Sequence, residues 1–202
     1  PVLVGDRIKQ VMALYREWST VVNPNRKKTV IIPYVSAYGY TGMLAEKIAQ
    51  GIADSGDIDV RSYDMVTADA AKVQEELQFA DGMLFGTPTI IAEALRPIWD
   101  LTLGMFSVTH GGKYAGAFGS YGWSGEGVPH ITERLKQLKM KVVDGFKVRF
   151  KPSDADLVGA YEFGYQFGCL VQSKKPGTAA AKGVRRLVKC LVCGEIFDSS
   201  IE

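Results

Sequence analysis

The chain has 202 residues, 47% hydrophobic and 23% charged, with a formal net charge of +2. That is an ordinary composition for one globular domain with appendages, and it gives no electrostatic reason to expect nucleic acid or an anionic membrane as partner. No apolar run reaches the ~18 residues of a transmembrane helix, and no secretory signal is visible.

The sequence begins at Pro1 without Met and reads as a piece of something longer. Residues 1–28 form a lead-in. Ile8, Met12, Leu14 and Tyr15 with Trp18 give one helical apolar face, expected to pack on a neighbouring domain or on the main fold. Asn23-Pro24-Asn25 ends it, and Arg26-Lys27-Lys28 is a polar hinge. Val30 to Val35 is an apolar, largely β-branched run, short enough for a buried parallel strand. Ser36-Ala37-Tyr38-Gly39-Tyr40-Thr41 follows, and then a helix with Leu44, Ile48 and Ile52 on one face.

Strand, hydroxyl-rich turn and helix N-terminus together predict an anion site. Free backbone N–H groups and the positive end of the helix dipole converge there. The turn holds no Lys or Arg. Its glycine spacing fits neither G-x-x-x-x-G-K-[ST] nor G-x-G-x-x-G, so a nucleoside triphosphate or dinucleotide is not expected. A single phosphate held by neutral donors fits better; the competing reading is a capped turn with no ligand.

The alternation continues. Strands are expected at Ile58–Tyr63, Gly82–Gly86, Lys113–Gly119 and Lys141–Phe150, the last bent or split at Asp144-Gly145. Helices are expected at Ala68–Phe79, Glu93–Phe106, Gly125–Leu138 and Asp154–Val171, the last capped by Ser153. Five βα units predict right-handed crossovers and a three-layer α/β sandwich.

The first turn, Ser36 to Thr41, resembles the phosphate loop of flavodoxins, which places Ser/Thr-x-x-Gly-x-Thr between the first strand and helix. The resemblance implies a five-stranded parallel sheet of order 2-1-3-4-5, for which flavodoxin is itself the standing example, with FMN where the order reverses. Two further turns at that sheet edge must then be ligand-like. After the third strand comes Thr87-Pro88-Thr89-Ile90-Ile91-Ala92; after the fourth comes Ser120-Tyr121-Gly122-Trp123-Ser124-Gly125-Glu126. Pro88 stiffens the former, and the glycines of the latter let backbone amides approach a ring that Tyr121 and Trp123 could wall.

Gly-Thr-Pro-Thr, Phe-Gly-Ser-Tyr-Gly-Trp-Ser-Gly and the lead-in Leu14-Tyr-Arg-Glu-Trp18 resemble, more narrowly, the flavodoxin domain of flavodiiron proteins (A-type flavoproteins), from about residue 5 to 172. That resemblance implies an FMN-binding electron-transfer domain. Its phosphate loop is Ser36, Ala37, Tyr38, Gly39, Tyr40 and Thr41. Its second loop is Pro88, Thr89, Ile90, Ile91 and Ala92, and its third Ser120, Tyr121, Gly122, Trp123, Ser124 and Gly125, with Glu126 at the edge. Many members carry asparagine where Ile91-Ala92 stand. The family reduces oxygen or nitric oxide at a diiron centre in a metallo-β-lactamase-like domain, with ligands in His-x-Glu-x-Asp-His. Here only His110 and His130 occur, in no such pattern, so the reaction centre is expected elsewhere. The implied partners are that domain, a rubredoxin-type donor and, in the parent, a second copy.

Residues 173–187, rich in Lys, Gly and Ala with Pro176, read as a linker. Residues 188–202 then include Cys190-Leu-Val-Cys193-Gly194, which resembles the first knuckle of a rubredoxin-type iron site. That implies two of four thiolates, with iron held only if the chain were extended. The main domain is thus expected over 29–172. Cys169, the remaining cysteine, reads as a buried small hydrophobe. Cysteine usage does not suit a secreted disulfide framework, and the expected compartment is the cytoplasm. The alternative function is a flavodoxin-like NAD(P)H:quinone oxidoreductase complete in itself. A signalling receiver of the same topology would need acidic residues where Pro33–Ser36 and Phe85–Thr87 stand.

Overall fold

In a computed structural model, residues 5–19, 22–173, 187–189 and 196–198 are described. The elements in chain order are α1 (Asp6–Ser19), β1 (Lys28–Tyr34), α2 (Tyr40–Asp54), β2 (Ile58–Asp64), α3 (Ala70–Phe79) and β3 (Gly82–Gly86). A short hairpin follows, β4 (Thr89–Ile90) and β5 (Glu93–Ala94), then α4 (Arg96–Leu103) and α5 (Ser107–His110). The main fold ends with β6 (Tyr114–Tyr121), α6 (Gly127–Gln137), β7 (Lys141–Val142), β8 (Phe146–Arg149) and α7 (Asp154–Val171). Two later strands, β9 (Leu187–Lys189) and β10 (Ile196–Asp198), pair antiparallel with each other.

The sheet runs β2-β1-β3-β6, and both β7 and β8 lie parallel on the outer side of β6. They occupy one strand position, broken at residues 143–145, where a split was expected. The order is therefore the expected 2-1-3-4-5, all parallel. Alternation along β1 sends Val30 and Ile32 to one face and Ile31 to the other. Val30, Ile32, Leu84 and Phe118 share a core with Leu44, Ile48 and Ile52 of α2 and Phe167 of α7. Ile31, Met83, Phe85 and Ala117 share the other with Val73, Leu77, Ile98, Ile131 and Leu135. Pro33 lies inside this central strand. Its missing N–H shows in the β1–β3 ladder, which registers Ile31 with Met83 and Tyr34 with Gly86 but no pair between.

Local chemistry sets most element ends. The Asp69 side chain accepts from the N–H of Ala71 at 2.9 Å to start α3. Ser153 and Asp156 form a reciprocal capping box at α7. The helix expected over 93–106 is shorter than the apolar spacing suggests. Leu95 is its N-cap and Pro97 lies in its first turn, while Glu93-Ala94 is drawn into the hairpin with Thr89-Ile90. The helix also stops at Leu103, before a separate turn of helix at Ser107.

Helix α1 forms as expected, and its apolar face is largely exposed. Ile8, Met12, Leu14 and Tyr15 are 43%, 52%, 44% and 64% exposed. His110 is buried, and burial holds its pKa below the usual histidine value. Cys169 is buried as expected. No helix among the described residues is long and apolar enough to cross a membrane.

Candidate functional site

The carboxyl ends of β1, β3 and β6 meet at one edge of the sheet. Val35 donates its N–H to the carbonyl of Gly86 at 2.9 Å, and Thr87 to that of Phe118 at 2.9 Å, so the three ends are laced together. The chain order reverses between β1 and β3, where parallel sheets open a crevice.

At the end of β1 the turn enters α2 through Gly39, whose φ of 81° is left-handed and suits glycine. Gly39 offers no side chain to cap the helix. Ser36 Oγ accepts the Gly42 N–H at 3.1 Å, and the Gly39 carbonyl accepts that of Met43. No acceptor among the described residues takes the N–H of Tyr40 or Thr41. Two helix-dipole donors thus point outward, as an anion site needs. Thr41 is not a cap. It is buried, and its Oγ1 lies 3.2 Å from Ser120 Oγ on β6, a bond that joins the first turn to the third.

After β3, buried Thr87 donates its hydroxyl to the Pro88 carbonyl and accepts the N–H of Leu95, both at 2.9 Å, which folds the second turn back on itself. Thr89 Oγ1 accepts the N–H of Gly127 at 3.2 Å. Ile91 and Ala92 form the hairpin loop, with φ of 53° and 58°. Glu93 sits behind it. Burial pushes its carboxyl pKa up, but bonds from His130, Ala94 and Trp99 bring it below the usual value.

The third turn is braced from β8. Lys147 Nζ lies 5.5 Å from the ring centre of Tyr121 and 3.4 Å from the Gly125 carbonyl oxygen. Arg149 Nε donates to the carbonyl of Gly122 at 3.2 Å, and the N–H of Phe150 to that of Tyr121 at 2.7 Å. The Ser124 hydroxyl contacts the Glu126 carboxylate, the leading reason this carboxyl's pKa lies below the usual value. A Cβ at Gly125 would sit 2.8 Å from the Tyr121 ring, so the glycine lets the turn fold over that ring.

The three turns enclose a cavity of about 500 Å³, within the range of small-molecule sites. It gathers Tyr38, Tyr40, Pro88, Thr89, Ile90, Ile91, Ala92, Ser120, Tyr121, Gly122, Trp123 and Ser124, all predicted from sequence, with Glu126 at its edge. Ser36, Ala37, Gly39, Thr41 and Gly125 do not line it; the first four belong to the turn into α2. Trp123 and Tyr38 are 91% and 79% exposed, with Tyr38 and Tyr40 ring centres 6.3 Å apart. Phe150 lines the cavity and was not predicted. It lies just past β8, and only the register of β8 on β6 brings it there.

No group of three or more His, Cys, Asp or Glu among the described residues could hold a metal ion. Cys190 and Cys193 lie outside the described residues.

The flavodoxin family model matches residues 32–164. The flavo-diiron protein FprA2 of Clostridium acetobutylicum is 42% identical over 155 residues, covering 76% of this chain and 38% of that protein. This chain therefore spans less than half the length of that relative. Among solved structures, the flavodiiron protein of Giardia intestinalis is similar with a TM-score of 0.71 and 26% identity, over 84% of this chain and 42% of that one. A flavodoxin from the domain Archaea is similar with a TM-score of 0.65 and 29% identity, over 71% of this chain and 99% of that one.

Proposed function

Because the chain belongs to the flavodoxin family, with flavodiiron and type A flavoproteins as relatives, we propose that it binds one FMN and serves as an electron-delivery domain. The observation that carries the reading is the pairing of two unlike subsites across the Thr41–Ser120 bond. On one side α2 presents unfilled N–H donors beside the hydroxyls of Ser36 and Thr41, with no cation, which suits one phosphate. On the other, Tyr121, Trp123, Tyr38 and the 88–92 turn wall a cavity of the size a tricyclic ring needs.

FMN, when bound, supplies one- and two-electron redox chemistry. The chain's own residues bind and orient it. Ser36 and Thr41 would offer hydroxyls to the phosphate, and the Gly122–Ser124 backbone with the Tyr121 and Trp123 side chains would hold the ring. We assign electron entry to a rubredoxin-type donor and exit to a diiron centre on a metallo-β-lactamase-like domain of a cytoplasmic, oligomeric parent protein. Mass spectrometry of cofactor released from the purified chain is expected to find FMN. FAD, or no flavin after reconstitution, would sink the reading.

For the tail, we propose that Cys190 and Cys193 are two thiolates of a rubredoxin-type iron site. Antiparallel pairing of β9 with β10, on either side of the Cys-x-x-Cys in sequence, favours this over an incidental pair. Two thiolates leave a tetrahedral iron half filled, so affinity is expected to be poor until a second pair is supplied. Metal analysis should find no stoichiometric iron in this chain, and iron in a version extended to carry a second Cys-x-x-Cys. Tight iron in the former, or none in either, refutes the assignment.

A further inference from the structure

Ile91 and Ala92 form the two-residue loop of the β4–β5 hairpin, both with positive φ. Such a loop favours Asn-Gly, and a β-branched residue in it is strained. Ile91 is 95% exposed, so packing does not offset that strain. The hairpin ladder is only two pairs long, Thr89 with Ala94 and Ile90 with Glu93.

What holds the hairpin comes from two helices. Glu93 Oε1 accepts the N–H of Ala94 at 2.9 Å and the indole N–H of Trp99 on α4 at 3.2 Å, and it lies 2.8 Å from His130 Nδ1 on α6. These bonds converge on one carboxylate oxygen. Removing it breaks the side-chain bonds to Trp99 of α4 and His130 of α6 at once, leaving the Thr89–Gly127 bond to tether the hairpin to α6. Ile90, Ile91 and Ala92 line the cavity, whereas Glu93 and His130 do not.

We propose that Glu93 and His130 are positioning residues: their contact, with the Trp99 indole, holds the strained Ile91–Ala92 turn where it closes the ring side of the cavity. This rests on the flavin reading above. The pair is half exposed, so it adds little to global stability. Its effect falls on the placement of one wall.

The test is FMN titration and potentiometry on the full chain carrying Glu93→Ala, Glu93→Gln or His130→Ala, with melting of the flavin-free proteins. Glu93→Ala is expected to weaken FMN three- to tenfold. It should also change the ratio of affinities for oxidised and reduced FMN at least threefold, read as a shifted midpoint potential. Glu93→Gln keeps an acceptor oxygen for Trp99 and Ala94 and should recover most of the loss; His130→Ala should fall between. Melting of the flavin-free variants should match wild type, while amide exchange at residues 90–94 speeds up in Glu93→Ala. Wild-type affinity and potential in Glu93→Ala overturn the proposal. So does an affinity loss that tracks a lower melting temperature with the potential unmoved. Failure of the wild-type chain to bind FMN is instead the failure of the flavin reading, and this proposal falls with it.

Discussion

Replacing Gly164 by alanine is expected to destabilise the domain by at least ~3 kcal/mol, the upper end of the overpacking range. Helices α2 and α7 cross in backbone contact. A Cβ at Gly164 would sit 2.1 Å from the Ile48 carbonyl oxygen, and one at Gly51 would sit 2.0 Å from that of Tyr161. Even a close carbon–oxygen contact needs ~3.3 Å. The obstructing atoms are backbone, so no rotamer change relieves them and the helices must part by roughly 1 Å. Helix propensity returns at most ~1 kcal/mol to alanine. The loss is a large share of the ~5–15 kcal/mol that holds an ordinary domain. For a domain of this size it should lower the melting temperature by roughly 6–12 °C.

Gly159→Ala on the same helix is the control. Its Cβ would meet only the Phe146 ring, at 3.4 Å, so stability should hold or rise slightly. If the two variants melt alike, α2 and α7 are not in backbone contact. Because α2 carries the unfilled N–H groups of Tyr40 and Thr41, Gly164→Ala should also weaken FMN binding, and Gly159→Ala should not.

The parts of this site that could be read along the chain are those whose chemistry is local. Val30–Val35 announces a strand by its own apolar run, and Ser36–Thr41 announces a helix N-terminus by hydroxyls and a glycine. The 93–106 stretch misleads because Leu95, Ile98 and Trp99 carry helical spacing that says nothing about Glu93. Glu93 belongs to a hairpin whose loop, Ile91-Ala92, lacks the Asn-Gly signature of its backbone conformation. Phe150 and Lys147 reach the site through the register of β8 on β6, which no local pattern encodes. The glycines of α2 and α7 reveal their role only once the two helices are laid together. Thr41 was legible as a hydroxyl at the start of α2. Its bond to Ser120, 79 residues away, was not.

That bond makes Thr41→Val the most informative change in the site. Valine keeps the shape and removes the hydroxyl. If Thr41 donates to the FMN phosphate, a hydrogen bond to a charged group is lost, worth ~1.5–3 kcal/mol. FMN affinity should then fall roughly tenfold to hundredfold. The same change also leaves the largely buried Ser120 hydroxyl without its Thr41 partner, at a cost of ~1–3 kcal/mol. The two effects separate by ligand. Riboflavin has the ring and no phosphate, so its affinity reports the Ser120 side of the site alone. FMN should lose at least tenfold more than riboflavin in Thr41→Val. Thr41→Ser keeps the hydroxyl and should restore the difference. Ser120→Ala should weaken the two ligands by similar factors, since it leaves the Thr41 hydroxyl free to turn to the phosphate. If Thr41→Val lowers the melting temperature yet leaves the ratio of FMN to riboflavin affinity unchanged, Thr41 serves only to join the first and third turns. The phosphate would then be held by Ser36 and the backbone N–H groups of α2.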